Sequence, residues 1–137
     1  MTARQPVVAE APAAYYKAVL TQKYADFNGR ARRSEYWWFI LLNAGVAVGI
    51  GAASLILGSV SSTLGAIGII LYFVYGIAVI VPGLAVSVRR LHDTGKSGWF
   101  LLFGLIPLVG GIIVLIFLLL DTDPEPNMYG VAPKYPN

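Results

Sequence analysis

The sequence predicts an all-α membrane protein, with three transmembrane helices of which the third is kinked or re-entrant, and a short interfacial helix ahead of them. Three observations predict this. Tyr36 to Val88 is a run of 53 residues without Asp, Glu, Lys or Arg. Ser97 to Leu120 is a second such run, of 24. The basic residues crowd into the segments before and between these runs. Composition agrees: 12% of the chain is charged and 57% hydrophobic, against roughly 25% charged in an average soluble domain. In water, so few charges could hardly cover the apolar side chains of 137 residues.

Each element follows in order. Residues 1–14 carry one Arg and one Glu among Ala, Pro and Val. They lack the apolar core and cleavage site of a signal peptide and read as a disordered tail. Tyr15 to Tyr24 places Tyr15, Tyr16, Val19, Leu20 and Tyr24 on one helical face. Tyr and Lys suit the headgroup layer, which makes this an interfacial helix; an ordinary short helix packed on the loops fits equally well. The membrane domain then runs over residues 15–120.

A bilayer crossing needs about 20 apolar residues, so the long run holds two spans, about 36–57 and 64–88. They are separated by a turn at Gly58 to Thr63, where glycine and hydroxyls interrupt the apolar pattern. Pro82-Gly83 is expected to kink the second span. The third, about 99–120, carries Pro107, Gly110 and Gly111 in its middle. A single kinked crossing is the preferred reading, with a re-entrant hairpin as the alternative. Residues 121–137 form a polar tail.

Nine of the ten Lys and Arg residues lie before the first span or between the second and third. By the positive-inside rule, the N-terminus and that second loop are cytoplasmic. Three crossings then put the C-terminus outside; a re-entrant third segment returns it to the cytoplasm. Tyr36, Trp37, Trp38 and Trp99 mark the same interface.

Chemistry is confined to two segments, Phe27 to Phe39 and Arg89 to Trp99. With no cysteine and one histidine, thiolate chemistry, Cys-based zinc and any site needing two imidazoles are excluded; no metal, cofactor or catalytic set is expected. His92-Asp93 invites a hydrolase reading with Ser34 or Ser97 as nucleophile. Neighbours on a helix point about 100° apart, however, and seldom bond each other directly. Gly95-Lys96-Ser97-Gly98 is no phosphate loop, because Arg90 stands where the upstream glycine belongs.

Arg30, Arg32, Arg33, Arg89, Arg90 and Lys96 are candidates for lipid or phosphate contact at one membrane face; fixing orientation alone would also explain them. Glu35, His92 and Asp93 are expected to join the arginines in a structural ion-pair constellation, since unpaired charge near hydrocarbon is costly. Gly45, Gly49 and Ala53 make a small-residue ridge suited to close helix approach within the chain or between two copies.

These segments carry a resemblance. Phe27-Asn28-Gly29-Arg30-Ala31-Arg32-Arg33-Ser34-Glu35-Tyr36-Trp37-Trp38-Phe39 and Arg89-Arg90-Leu91-His92-Asp93-Thr94-Gly95-Lys96-Ser97-Gly98-Trp99 resemble signatures of the bacterial inner-membrane proteins grouped as domain of unknown function 805, the YhaH-like family. Asn127, Tyr129, Gly130 and Pro133 also match the family's C-terminal pattern, whereas Met128 and Ala132 depart from it. The resemblance implies an inner-membrane location and no assigned activity. The expected protein is a non-enzymatic membrane component. Its partners are membrane lipids, anionic ones in particular, with a homo-oligomer or membrane-protein partner left open and no nucleic acid. A small transporter or channel subunit is the alternative, disfavoured because the spans hold no ionisable residue at midplane depth. A hydrolase ranks last.

Overall fold

The computed structural model describes residues 4–136. Met1 to Ala3 and Asn137, the ends of the two expected tails, lie outside them. The described residues form five α-helices: α1 Pro12–Leu20, α2 Arg33–Val60, α3 Ser62–Ala78, α4 Ile80–Asp93 and α5 Val109–Leu119. A 3-10 helix, Gly98–Leu105, precedes α5.

Two helical rods are long and apolar enough to cross a membrane, α2 and the continuous α3–α4 pair. Only Ser61 separates α2 from α3. It is extended (φ −146°), and its side chain accepts a bond from the Leu64 N–H. The rods close on small residues: a Cβ on Gly65 would lie 2.6 Å from the Gly58 backbone, and one on Gly68 would meet Ser54. Further along, Gly51 meets Tyr72 and the Tyr75 hydroxyl donates to the Asn43 Oδ1. The packing stripe is therefore Asn43, Gly51, Ser54 and Gly58. Two positions of the expected ridge are open within the chain, since a Cβ on Gly45 or Gly49 would meet nothing within 4 Å. We expect Gly65→Ala to cost about 1–3 kcal/mol and Gly45→Ala to stay within about 0.5 kcal/mol, measured as unfolding free energy in detergent.

The second rod breaks at Val79, three residues ahead of Pro82. Proline has no N–H to offer the carbonyl four residues back, and the Tyr24 hydroxyl donates to that carbonyl, Ala78, at 2.6 Å. Below the break sits α1. Tyr16 stacks on Phe39 at 5.8 Å, its hydroxyl lies 2.6 Å from that of Tyr75, and Val19 is fully buried. The apolar face of α1 is thus turned to protein rather than lipid, because α2 and α4 supply a surface for it. Residues 4–11 are not loose either: the Val7 N–H donates to Lys134 O and Arg4 to Pro124 O.

The third apolar segment is a hairpin and not one kinked helix. The 3-10 helix runs one way, the chain reverses at Pro107-Leu108 with Leu108 in the left-handed region (φ 65°), and α5 returns. Eight residues at about 2.0 Å rise and eleven at about 1.5 Å give arms near 16 Å, about half of a roughly 30 Å hydrocarbon core. Both ends of the hairpin meet the last turn of α4, so the polar tail from Asp121 packs at the same end as the segment before α2. The segment before α2 and the tail are thus neighbours at one end of the rods, the arrangement expected of a re-entrant third segment.

Candidate functional site

The last turn of α4 puts Arg89, Arg90, His92 and Asp93 at the end of a rod, where their charges leave the apolar pattern. All four are buried, Arg90 and Asp93 completely. Arg90 and Asp93 are three positions apart and so share a helix face. Arg90 Nη1 lies 2.7 Å from Asp93 Oδ2.

The other partner of Asp93 comes from the first motif. Gly29 takes a left-handed turn (φ 85°) that aims Arg30 inward, and Arg30 Nε donates to Asp93 Oδ1 at 3.0 Å. Arg30 then spends its remaining donors on carbonyls: Asp93 and Asp123 from Nη2, Glu125 and Gly130 from Nη1. Thr122 Oγ1 donates to Asp93 Oδ2 at 2.7 Å.

Arg90 also caps the hairpin. The final carbonyls of a helix have no partner within it and carry partial negative charge. Arg90 donates to Leu118 O from Nε and to Leu120 O from Nη2. Trp37 Nε1 also reaches Leu118 O, and Arg33 reaches Leu119 O. A second ion pair flanks this centre: Glu35 Oε1 accepts from Arg89 Nη1 and Lys23 Nζ, each at 2.9 Å, and Arg89 Nε donates to Asp26 O. Three buried guanidinium groups thus face two carboxylates, the excess positive charge being met by the carbonyl ends of α4 and α5.

His92 Nδ1 lies 2.9 Å from Gly29 O. A carbonyl can only accept, so this nitrogen carries the hydrogen. The ring stacks on Tyr129 at 3.7 Å, nearly parallel, and Asn127 Nδ2 donates to His92 O. His92 and Asp93 therefore turn to different partners and form no dyad. Ser34 Oγ donates to the Tyr15 hydroxyl, and Ser97 Oγ accepts from the Trp99 N–H.

The structure brings Glu35, His92 and Asp93 together with Arg30, Arg89 and Arg90. All three of these arginines are buried away from a surface ligand; Arg30 and Arg90 are committed to carboxylates and carbonyls, and Arg89 to Glu35 and Asp26 O with its Nη2 unpaired. Arg32, Arg33 and Lys96 remain at or near the surface. Lys96 stands over the Phe117 ring, 5.1 Å from its centroid. Arg33 Nη2 pairs with Asp121 Oδ2 at 3.3 Å. Partial burial opposes the charge of Asp121, but hydrogen bonds from Lys134 and the Thr122 N–H, with the Arg33 charge, outweigh it and hold its carboxyl below the usual carboxylate range.

Sequence reasoning missed Lys23, Thr122 and Asn127 as members of this site. Asn127, Tyr129 and Gly130 carried a signal in the C-terminal pattern; Lys23 and Thr122 carried none, since a lone lysine and threonine look the same wherever they fold.

Comparison with known proteins follows the same lines. The model of the family described as Protein of unknown function (DUF805) matches residues 24–131, which takes in both motifs and the tail to Val131. The chain is 42% identical over 120 residues to the inner membrane protein YhaH of Escherichia coli (strain K12), covering 88% of this chain and 96% of that protein. It is 41% identical over 122 residues to the inner membrane protein YhaI of the same organism, with the same coverage. No solved structure matches the chain.

Proposed function

Since this chain belongs to the DUF805 family, we propose that it is a non-enzymatic component of the bacterial inner membrane, with two crossings, a half-depth hairpin and every charged segment on the cytoplasmic side. The arginine–carboxylate clasp is its organising element. The observation that carries this reading is Arg30, which joins the end of α4 to the tail through Asp93, Asp123, Glu125 and Gly130. A clasp of that kind holds the ends of the hairpin at the interface, so that its apolar arms dip into hydrocarbon without crossing. The surface cations Arg32, Arg33 and Lys96 then face the headgroup layer, where anionic lipid is attracted at about 1 kcal/mol per cation. With two rods and no Asp, Glu, Lys, Arg or His between Tyr36 and Val88, a proton or ion pathway lacks the residues that usually form a relay, and a transporter is the weaker reading.

Topology tests this directly. In intact cells an impermeant thiol reagent should label Ser61→Cys and spare both Lys96→Cys and Lys134→Cys; permeabilised cells should label all three. Labelling of Lys134→Cys from outside would overturn the half-depth hairpin.

A further inference from the structure

The clasp leaves one group of cations outside it. Where α2 begins, a cavity of about 160 Å³ is lined by Arg32, Arg33, Ser34, Asp121, Thr122 and Lys134. Three cations face one carboxylate there. Lys134 Nζ reaches both oxygens of Asp121, at 3.0 and 3.1 Å, and Arg33 shares the same group at 3.3 Å. Among the described residues the Arg32 side chain makes a single hydrogen bond, from Nη1 to Val7 O at 3.1 Å, so most of its donors are unspent. The arrangement is a charged surface recess with a net excess of positive charge, whereas the guanidiniums of the clasp are buried. Its depth is fixed on two sides: Trp37 and Trp38 follow on α2, and Leu119-Leu120 end the apolar hairpin immediately before Asp121. Tryptophan marks the boundary between hydrocarbon and water, the level of lipid phosphates.

We propose that this cavity takes the phosphate of an anionic membrane lipid, held by Arg32, Arg33 and Lys134. The proposal rests on the topological reading above, because it needs Asp121 and Lys134 on the same membrane face as Arg32. Asp121 is the resident anion: it keeps Arg33 and Lys134 gathered in the absence of lipid and yields one of them to the phosphate. Guanidinium and ammonium both suit such an oxyanion, the first in a bidentate manner. A zwitterionic headgroup adds a cation beside two unmatched positive charges and fits less well.

The test is native mass spectrometry of the full chain released from nanodiscs containing equal phosphatidylglycerol and phosphatidylcholine. The wild type should retain phosphatidylglycerol preferentially. Arg33→Gln/Lys134→Gln should lower that retention about 30-fold, as two surface cations predict, while Lys17→Gln, which removes an exposed cation elsewhere on the face, should not. Equal losses in the two variants would show diffuse attraction and overturn the site, as would an unchanged double variant. Inorganic phosphate, added in detergent without lipid, should not match the thermal stabilisation given by phosphatidylglycerol; equal stabilisation would overturn the lipid assignment in favour of a free phosphate ligand. The labelling of Lys134→Cys separates the two readings: a tail protected in intact cells with no lipid preference defeats the cavity alone, whereas a labelled tail defeats the topology.

Discussion

Asp93→Asn is expected to lower the unfolding free energy in detergent by about 3–5 kcal/mol, the loss typical when one member of a buried ion pair is removed. The side chain is completely buried and receives Arg30, Arg90 and Thr122. The amide keeps the shape but not the charge, and its NH₂ group turns donor against donor toward one of the arginines. Two guanidinium groups are then left buried with too little negative charge. The same logic makes the change non-additive with Arg30→Gln: on the Asp93→Asn background the second substitution should cost much less than alone, because the charge it removes has already lost its partner. Additive losses would show the pair to be uncoupled. Arg30→Lys should come close to Arg30→Gln in cost, because three ammonium donors on a single nitrogen cannot reproduce five bonds from a planar fork. A mild effect of the lysine would mean that charge alone matters and the carbonyl bonds do not.

Gly110→Ala should be the most damaging conservative change in the hairpin, while its neighbour Gly111→Ala should be silent or slightly stabilising. A Cβ on Gly110 would fall 1.7 Å from the Phe103 carbonyl oxygen, with Ile106 close behind, whereas one on Gly111 meets nothing within 4 Å. The obstacle is backbone of the opposing arm, so no side chain can swing aside. Opening the arms strains the reversal at Leu108, which already holds a left-handed conformation uncommon outside glycine. The cost should lie at the upper end of the roughly 1–3 kcal/mol of overpacking, with new protease cleavage between Ser97 and Leu120. Equal behaviour of the two variants would indicate that the arms do not pack as described.

What could be read from the sequence depended on whether a residue's meaning was local. The two long apolar rods follow from an uncharged run, and a run is visible without its neighbours. The clasp was half legible, since two charged motifs at one interface must meet somewhere. Which arginine met which acid was not, and three arginines assigned to lipid are buried among partners that include the carbonyls of Asp26, Leu118, Leu120, Asp123 and Glu125, backbone groups that every sequence has. The hairpin turned on the same ambiguity. Pro107, Gly110 and Gly111 are equally suited to a kinked helix and to a reversal, and the choice is made by Arg90 capping the returning arm. Gly45 and Gly49 show the converse: the spacing was right for close packing, but spacing does not say which helix face finds a partner.

Arg30 also bears on how this protein is made. Its partners lie 63 positions away at Asp93 and 100 positions away at Gly130. At a synthesis rate of about 5–20 residues per second, several seconds separate the emergence of Asp93 from that of Gly130. Through that interval α2 and α3 can already be threaded into the bilayer, while the last turn of α4 waits with its charges in water. Closure of the polar end thus waits on arrival of the tail. A chain stopped before Thr122 would leave Arg30 without three of its five bonds.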